Sequence, residues 1–262
     1  MSAAQISSAP ATDVTSAGMG VSLRGKGLLW PIRPVRTPNA QYNMARADSL
    51  SIRVATRMRE QMFASFMQEL RPTETETVVD VGVTSDQSYT SSNYFERLYP
   101  HKHRITACGL DDAHFLEALY PGVRFVEANA LDLPFESGSI DIVHSSAVLE
   151  HVGSLANQAQ MLAECLRVAR RGVCLTTPNR WYPIEFHTQL PLVHWLPKPW
   201  GRAAFRALGL HFFAREENLN LMTRRELATL AEAHPEWRFR FASPRLLGWV
   251  SNLVLIGERR TG

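Results

Sequence analysis

The residues best suited to proton transfer lie close together near the middle of the chain. His144 stands at the end of an apolar run, and Glu150 and His151 follow within the next turn. Imidazole and carboxylate groups act as general acids and bases when a strand end holds them beside a reacting group. We therefore predict His151, His144 and Glu150 as candidate catalytic residues. A purely structural His151, hydrogen-bonded to the backbone, is the alternative that the sequence leaves open.

A second group of polar residues lies in a segment rich in proline and aromatic residues, at about 178–215. It contains Glu185, His187 and His194 among tryptophans and prolines. A loop of this length in a compact domain is usually functional, and we predict a lid over a binding site. Two histidines seven residues apart, His187 and His194, can bind a metal ion, but the sequence offers no firm third ligand. We therefore predict no metal site.

The elements expected to position these residues alternate between strands and helices. Short β-branched and apolar runs predict strands at 77–83, 104–108, 123–127, 140–144 and 172–176. The intervening patterns predict helices at 93–98, 112–120 and 155–169. This alternation is typical of a parallel α/β sheet with helices on both faces. Two final strands, at 237–242 and 252–258, are close enough to pair in antiparallel fashion.

Both ends of the domain have recognisable patterns. Residues 1–40 are rich in small residues and proline, which predicts a flexible N-terminal arm before a domain at 41–262. Apolar residues at every fourth position predict a helix over 49–70 that packs on the domain. Near the other end, Thr223 and Glu226 form a capping-box pattern that starts a helix running to about His234.

Composition excludes several classes of protein. A net charge of +3 without a basic stripe argues against nucleic-acid binding. Three cysteines without a C-x-x-C motif predict buried free thiols rather than a zinc or redox site. No apolar run approaches the roughly 18 residues that a membrane helix needs, and no secretory signal pattern is present. We therefore expect a cytoplasmic protein without membrane contact.

Two segments resemble class I S-adenosylmethionine (SAM)-dependent methyltransferases of the small-molecule, type 11-like kind. They are VVDVGV at 78–83 and FVEANALDLPFESGSIDIVHSSAVLEHV at 125–152. The segments occur in the family's order and spacing, and the resemblance covers roughly residues 75–178. It implies a Rossmann-like seven-stranded sheet with one antiparallel strand, an N-terminal extension and a lid inserted after strand five. It also implies SAM as the cofactor.

The resemblance further implies which residues bind the cofactor. Asp80 and Gly82 match the family's D-x-G, in which glycine lets the backbone approach the amino-acid part of SAM. Asn129 stands where the family commonly has Asp beside the adenine, and its side-chain carbonyl can accept from the adenine amino group. Ala130 then lines the adenine slot. Ser145, at the end of strand four, either contacts the cofactor or caps the next helix.

Two further departures from the family's pattern lie in the loop after strand one and at the end of strand two. The family usually continues with C-G-T-G, where this chain has Val83, Thr84, Ser85 and Asp86. Asp86 can face the amino group of SAM or block its site. Gly109 stands where the family has a carboxylate for the ribose hydroxyls. Asp111 or Asp112 can reach the ribose instead, and a role as helix-capping carboxylates is the alternative.

Two functions are consistent with these residues. The first is a SAM-dependent methyltransferase that acts on an oxygen or carbon nucleophile of a small molecule. The family's N-P-P-[YF] signature of amide or amine methylation is missing after strand four, where HSSA stands instead. The second is a non-catalytic protein of the same fold that acts as a partner or regulatory subunit, as the altered loop and Gly109 indicate. The sequence leaves homo- or hetero-oligomerisation open.

Overall fold

The computed structural model describes residues 49–87 and 91–260. The predicted N-terminal arm therefore lies outside the described residues. Within them, nine strands follow one another along the chain. They are β1 (Val78–Val81), β2 (Ile105–Gly109), β3 (Arg124–Glu127), β4 (Ile140–Ser146), β5 (Ala169–Pro178), β6 (Trp237–Phe241), β7 (Arg245–Leu246), β8 (Trp249–Val250) and β9 (Asn252–Arg259).

Seven of these strands form one sheet in the order β3-β2-β1-β4-β5-β9-β6. Strands β1 to β5 pair in parallel, whereas β9 runs antiparallel to both β5 and β6. The predicted seven-stranded α/β sheet with one antiparallel strand is thus confirmed. The chain leaves β1 and β4, which are neighbours, toward opposite halves of the sheet. Such a switch point opens a crevice at the carboxyl ends of the strands.

Six α-helices accompany the sheet. They are α1 (Leu50–Leu70), α2 (Tyr94–Leu98), α3 (Phe115–Leu119), α4 (Leu155–Val168), α5 (Lys198–Ala207) and α6 (Arg224–Glu232). The predicted capping box is confirmed, because the Thr223 side chain accepts from the Glu226 backbone and Glu226 bonds back to Thr223. The predicted helix 112–120 is shorter than expected. Asp112 accepts from the backbone N–H of His114 at 2.9 Å, and this turn holds the chain out of the helix until Phe115.

Two apolar layers cover the two faces of the sheet. On one face, Met62, Phe66 and Leu70 of α1 pack with α2 and the strands. On the other face, α4 and α6 pack through Leu162 and Leu227. The burial of the four-residue repeat in α1 confirms that this helix packs on the domain.

The segment after β5 forms a small apolar cluster of its own. Phe205 of α5 packs with Phe213, Leu219 and Leu221, and these side chains are buried. This cluster anchors the segment beside the carboxyl ends of the strands, where lid residues can reach the crevice. No helix among the described residues is both long enough and apolar enough to span a bilayer.

Candidate functional site

A cavity of about 470 Å³ lies at the carboxyl ends of β1, β2 and β4. Its wall includes residues 81–84, 109–111, 128–131 and 146–148, each set following a strand of the sheet. Arg59 of α1 and His187 of the lid segment complete other parts of the wall. The volume lies within the roughly 300–1,000 Å³ range of small-ligand pockets. The strand order therefore places a ligand-sized cavity at the switch point of the sheet.

The turn after β1 depends on a glycine for two reasons. Gly82 has a φ of 95°, a left-handed conformation that side chains rarely adopt. A Cβ atom at this position would also come within 2.1 Å of Val148 Cγ2, on the opposite part of the wall. Sequence reasoning assigned this glycine to the approach of a cofactor. In the structure, contact with Val148 is already sufficient to exclude a side chain.

The altered loop 83–86 leaves the cavity open. Asn93 holds the Thr84 peptide by accepting from its N–H and donating to its carbonyl, both at 3.0 Å. Thr84 lies in the wall, and its hydroxyl oxygen accepts from the Asp86 backbone N–H at 3.1 Å. Asp86 itself is only 1% exposed and lies outside the wall. The side chain that was expected to face or block the ligand is therefore buried and does not line the cavity.

The end of β2 explains why a glycine replaces the family's carboxylate. A Cβ atom at Gly109 would lie 2.6 Å from the Val83 carbonyl oxygen, a contact that only a backbone shift can relieve. Asp111, two residues later, lies in the cavity wall. Asp112 instead is exposed, with its Oδ1 2.7 Å from Nδ1 of His114. Of the two aspartates that sequence reasoning left open, only Asp111 faces the cavity.

The loop after β3 provides a largely apolar side of the cavity. Ala128, Ala130 and Leu131 lie in the wall beside Asn129. The Asn129 side-chain carbonyl accepts from the Leu131 backbone N–H at 3.0 Å, which fixes the turn. This carbonyl was expected to accept from adenine. It already has a protein donor, and its second lone pair remains available.

Three of the predicted residues lie beneath the cavity rather than in its wall. Asp80 Oδ1 is 2.5 Å from Nδ1 of His144, and both groups are buried. Burial raises the pKa of Asp80 to about 7 and lowers the pKa of His144 to about 3, so His144 is neutral. The Ser145 hydroxyl donates to the Val81 carbonyl at 2.8 Å. These contacts join β1 to β4 directly under the turn.

At the lid end of the cavity, two histidines meet. Nε2 of His151 lies 3.1 Å from Nε2 of His187, and both residues belong to the wall. Nδ1 of His151 donates to the Asn218 carbonyl at 2.7 Å, and Nδ1 of His187 lies 2.7 Å from Oε1 of Glu185. Glu150 lies next to this pair, with its Oε1 3.8 Å from Nε2 of His151.

Burial and charge act in opposite directions on this cluster. Burial, together with nearby His187, lowers the pKa of His151 to about 3. Burial alone would lower the pKa of His187, but the Glu185 carboxylate more than offsets this and raises it. Burial acts in the opposite direction on a carboxyl group and would raise the pKa of Glu185, but His187 lowers this pKa to about 2. Glu185 and His187 therefore form a buried ion pair against a neutral His151.

Comparisons with known proteins match the same region of the chain. A family model described as "Methyltransferase domain" matches residues 88–176. A probable S-adenosylmethionine-dependent methyltransferase of Mycolicibacterium smegmatis is 40% identical over 81 residues, 29% of this chain and 30% of that protein. An uncharacterized methyltransferase of Mycobacterium avium is 33% identical over 151 residues, 50% of this chain and 57% of that protein. The chain thus matches less than two thirds of the length of these relatives.

A solved structure agrees with the fold. Magnesium protoporphyrin IX methyltransferase of Synechocystis PCC 6803, with bound SAH, superposes with a TM-score of 0.51. The two proteins are 12% identical, and the match covers 80% of this chain and 86% of the other. The chain therefore has the class I methyltransferase fold, and its residues 88–176 match the methyltransferase domain model. Its cavity therefore lies in a class I methyltransferase sheet.

Three residues that form or support the cavity wall are not predicted from the sequence. Arg59 lies outside the apolar repeat of α1 and belongs to the wall, and its guanidinium donates to the Ser91 hydroxyl at 2.8 Å. Asn93 is predicted from the sequence only as the first residue of the helix 93–98, but its side chain holds the loop at Thr84. His187 was named only as a polar lid residue. The sequence signal for it was the short spacing between Glu185 and His187, which lets the carboxylate orient the ring.

Proposed function

We propose that this protein is a SAM-dependent methyltransferase acting on an oxygen or carbon nucleophile of a small molecule. The observation that carries the proposal is the open cavity at the carboxyl ends of β1, β2 and β4. The resemblance to class I methyltransferases supports SAM as the ligand of this cavity. Two further findings support it: the M. smegmatis relative is named as a probable SAM-dependent methyltransferase, and the Synechocystis structure has bound SAH.

The cavity residues fit a nucleoside that carries a charged arm. Asp111 offers a carboxylate for ribose hydroxyls, while the wall around Ala130 offers an apolar slot for a base. The proposed cofactor contacts are Gly82, Val83, Thr84, Asp111, Asn129 and Ala130. Asp80, Asp86 and Ser145 support the turn from the buried side, because none of them lies in the wall.

The protein's part in methyl transfer is to align the acceptor and to hold its reacting atom deprotonated. Bound SAM supplies a methyl group on a sulfonium sulfur, and transfer forms the acceptor–methyl bond while the electron pair of the broken C–S bond stays on sulfur. His151 and His187 place polar ring nitrogens at the lid end of the cavity, where we propose that the acceptor binds. His151 is the proposed catalytic residue there. His144 and Glu150 lie outside the wall and are proposed as positioning residues.

The non-catalytic alternative has less support. It was motivated by the bulky loop 83–86 and by Gly109. Asn93 clamps that loop at Thr84, and Asp86 is buried outside the wall, so the cavity is not filled. Asp111 offers a carboxylate near the position that Gly109 cannot use.

Calorimetric titration with S-adenosylhomocysteine (SAH) tests the proposal. We expect saturable binding to the full chain, and Asp111→Asn to weaken it by about 10-fold or more, because a hydrogen bond to a charged group is worth about 1.5–3 kcal/mol. Asp112→Asn is the matched control, since this neighbouring carboxylate is exposed and outside the wall. Absence of binding at millimolar SAH and SAM would contradict the proposed function. Equal losses in the two variants would contradict the role of Asp111.

A further inference from the structure

The lid end of the cavity brings together three side chains with metal-binding atoms. Glu150, His151 and His187 each offer one such atom, and these atoms all lie within 4.8 Å of one another. Two ligand atoms that each bind a Zn²⁺ ion at about 2.0–2.2 Å are themselves about 3–4 Å apart. The measured separations of 3.1 Å and 3.8 Å from Nε2 of His151 lie in this range.

The contact between the two rings requires a cation. Nδ1 of each ring is the donor to an acceptor, the Asn218 carbonyl for His151 and the Glu185 carboxylate for His187. In neutral imidazole only one nitrogen carries hydrogen, so both Nε2 atoms would present lone pairs to each other at 3.1 Å. Either a shared proton or a metal ion can bridge two such atoms.

Glu150 distinguishes between these two cations. Its side chain is 0% exposed, and Oε2 accepts from the Thr177 hydroxyl at 2.8 Å. Oε1 has no hydrogen-bond donor among the residues that the structure describes. A buried carboxylate oxygen without a partner is costly. A proton between the rings leaves this oxygen unsatisfied, whereas a metal ion bound by all three side chains satisfies it.

The groups behind the two histidines also match a metal site. A metal-binding histidine usually donates its other ring N–H to a carboxylate or a backbone carbonyl, which fixes the ring and makes the free nitrogen more basic. His187 has the carboxylate of Glu185, and His151 has the carbonyl of Asn218. Two histidines and one carboxylate beside an open cavity are a ligand set of catalytic zinc sites.

We propose that Glu150, His151 and His187 bind a divalent transition-metal ion, and that this ion binds the hydroxyl oxygen of the methyl acceptor. This proposal revises the prediction from the sequence that the chain has no metal site. Both histidines lie in the wall of the cavity that the proposed function assigns to SAM, so an open coordination position faces the acceptor. The two carboxylates, Glu150 and Glu185, balance the charge of a divalent ion.

The role of the ion in the reaction rests on the proposed function, whereas its binding does not. Coordination of a hydroxyl oxygen lowers its pKa, so that the O–H bond breaks and the proton leaves to water. The oxygen keeps the electron pair and remains on the ion, ready to form the bond to the methyl carbon. This chemistry narrows the acceptor from an oxygen or carbon nucleophile to an alcohol or phenol.

Titration of the chelator-treated full chain with Zn²⁺ alone tests the site. We expect about one ion per chain, and a loss of at least about 100-fold in affinity for Glu150→Gln and His187→Gln, because each removes a ligand. Glu185→Gln should cost about 10–100-fold, as expected for a group that orients a ligand. His211→Gln is the matched control, since this histidine is exposed and lies outside the cavity wall.

Two further measurements keep the outcomes distinct. Circular dichroism and SAH titration check the fold of each variant, and Co²⁺ spectra of the unaltered chain test ligation if a variant does not fold. Visible bands of a four- or five-coordinate site support the inference, whereas the spectrum of aqueous Co²⁺ overturns it. Zn²⁺ affinity retained in both Glu150→Gln and His187→Gln also overturns it. SAH binding without Zn²⁺ binding rejects the metal site alone, and Zn²⁺ binding without SAH binding rejects the proposed function alone.

Discussion

At the scale of single residues, backbone contacts decide which side chains can reach the cavity. Gly109 lies where a Cβ atom would meet the Val83 carbonyl at 2.6 Å, so the position tolerates no carboxylate. The chain instead has Asp111 in the wall. The same turn requires Gly82, because Val148 occupies the space of a side chain there. The departures of this chain from the methyltransferase pattern are therefore linked to one another through the packing of neighbouring loops.

Substitution of Gly109 by alanine tests this packing. We expect Gly109→Ala to lower the free energy of unfolding by about 1–3 kcal/mol, the usual cost of adding atoms to a packed site. The backbone shift that makes room for the added Cβ atom must also move the Val83 carbonyl, so the affinity for SAH should fall. Urea unfolding and calorimetric titration measure the two effects. An unchanged unfolding midpoint would mean that the loop moves aside freely.

The residues near the motifs could be predicted because each belongs to a short local pattern. Gly82, Asn129 and His151 were found in this way, and all three lie in the cavity wall. The pairing of His151 with His187 could not be found, because the two residues are 36 positions apart. Their contact depends on the path of the lid segment, which no local periodicity determines.

At the scale of elements, α1 supports the sheet directly beneath the cavity. Phe66 is 0% exposed, and its ring packs edge-on against two other rings. Its ring centroid lies 5.1 Å from that of Phe95 and 5.6 Å from that of His144. His144 in turn contacts Asp80 on β1. The helix thus packs against the groups that join β1 to β4.

Truncation of Phe66 tests the contribution of α1. We expect Phe66→Ala to lower the free energy of unfolding by about 3–5 kcal/mol, since a fully buried ring leaves a cavity. Gln68→Ala is the control on the same helix, because Gln68 is exposed and its loss should change stability by less than about 0.5 kcal/mol. Chemical denaturation measures both values. Similar losses for the two variants would show that α1 is held by something other than this ring.

Long periodic elements were predictable, and short ones were not. The four-residue repeat of α1 extends over five turns, and its ends agree with the expected 49–70. Strands β7 and β8 have two residues each, too few for any alternation to appear. The helix predicted at 112–120 lost its first turn because Asp112 bonds to His114 instead. Local side-chain competition of this kind is invisible to periodicity.

At the scale of the whole molecule, the described domain carries a cluster of buried ionisable groups under the cavity. Asp80, His144 and Tyr94 form a continuous chain of contacts, with the Tyr94 hydroxyl 3.3 Å from Nε2 of His144. Glu96 lies against Asp80, and neither of its carboxyl oxygens meets a donor N–H or O–H of another described residue. Two carboxyl groups can share a hydrogen bond only when one of them retains its proton. The folded protein is therefore more stable when Glu96 is protonated.

The dependence of stability on pH follows from this cluster. Burial, together with the charge of Asp80, raises the pKa of Glu96 well above its ordinary value in the folded protein. The folded state then holds a proton that the unfolded chain has released, so this contribution to stability is complete below the unfolded pKa of about 4.3 and is lost as pH rises. The loss has a slope of at most about 1.4 kcal/mol per pH unit.

Glu96→Gln keeps a hydrogen-bond donor for Asp80 and removes the titration. We therefore expect the variant to gain stability relative to the wild type between about pH 5 and pH 8, as measured by urea unfolding at each pH. Glu60→Gln, which removes one exposed carboxyl group, controls for the loss of a surface charge. Parallel curves for the wild type and Glu96→Gln would show that Glu96 does not hold a proton in the folded protein.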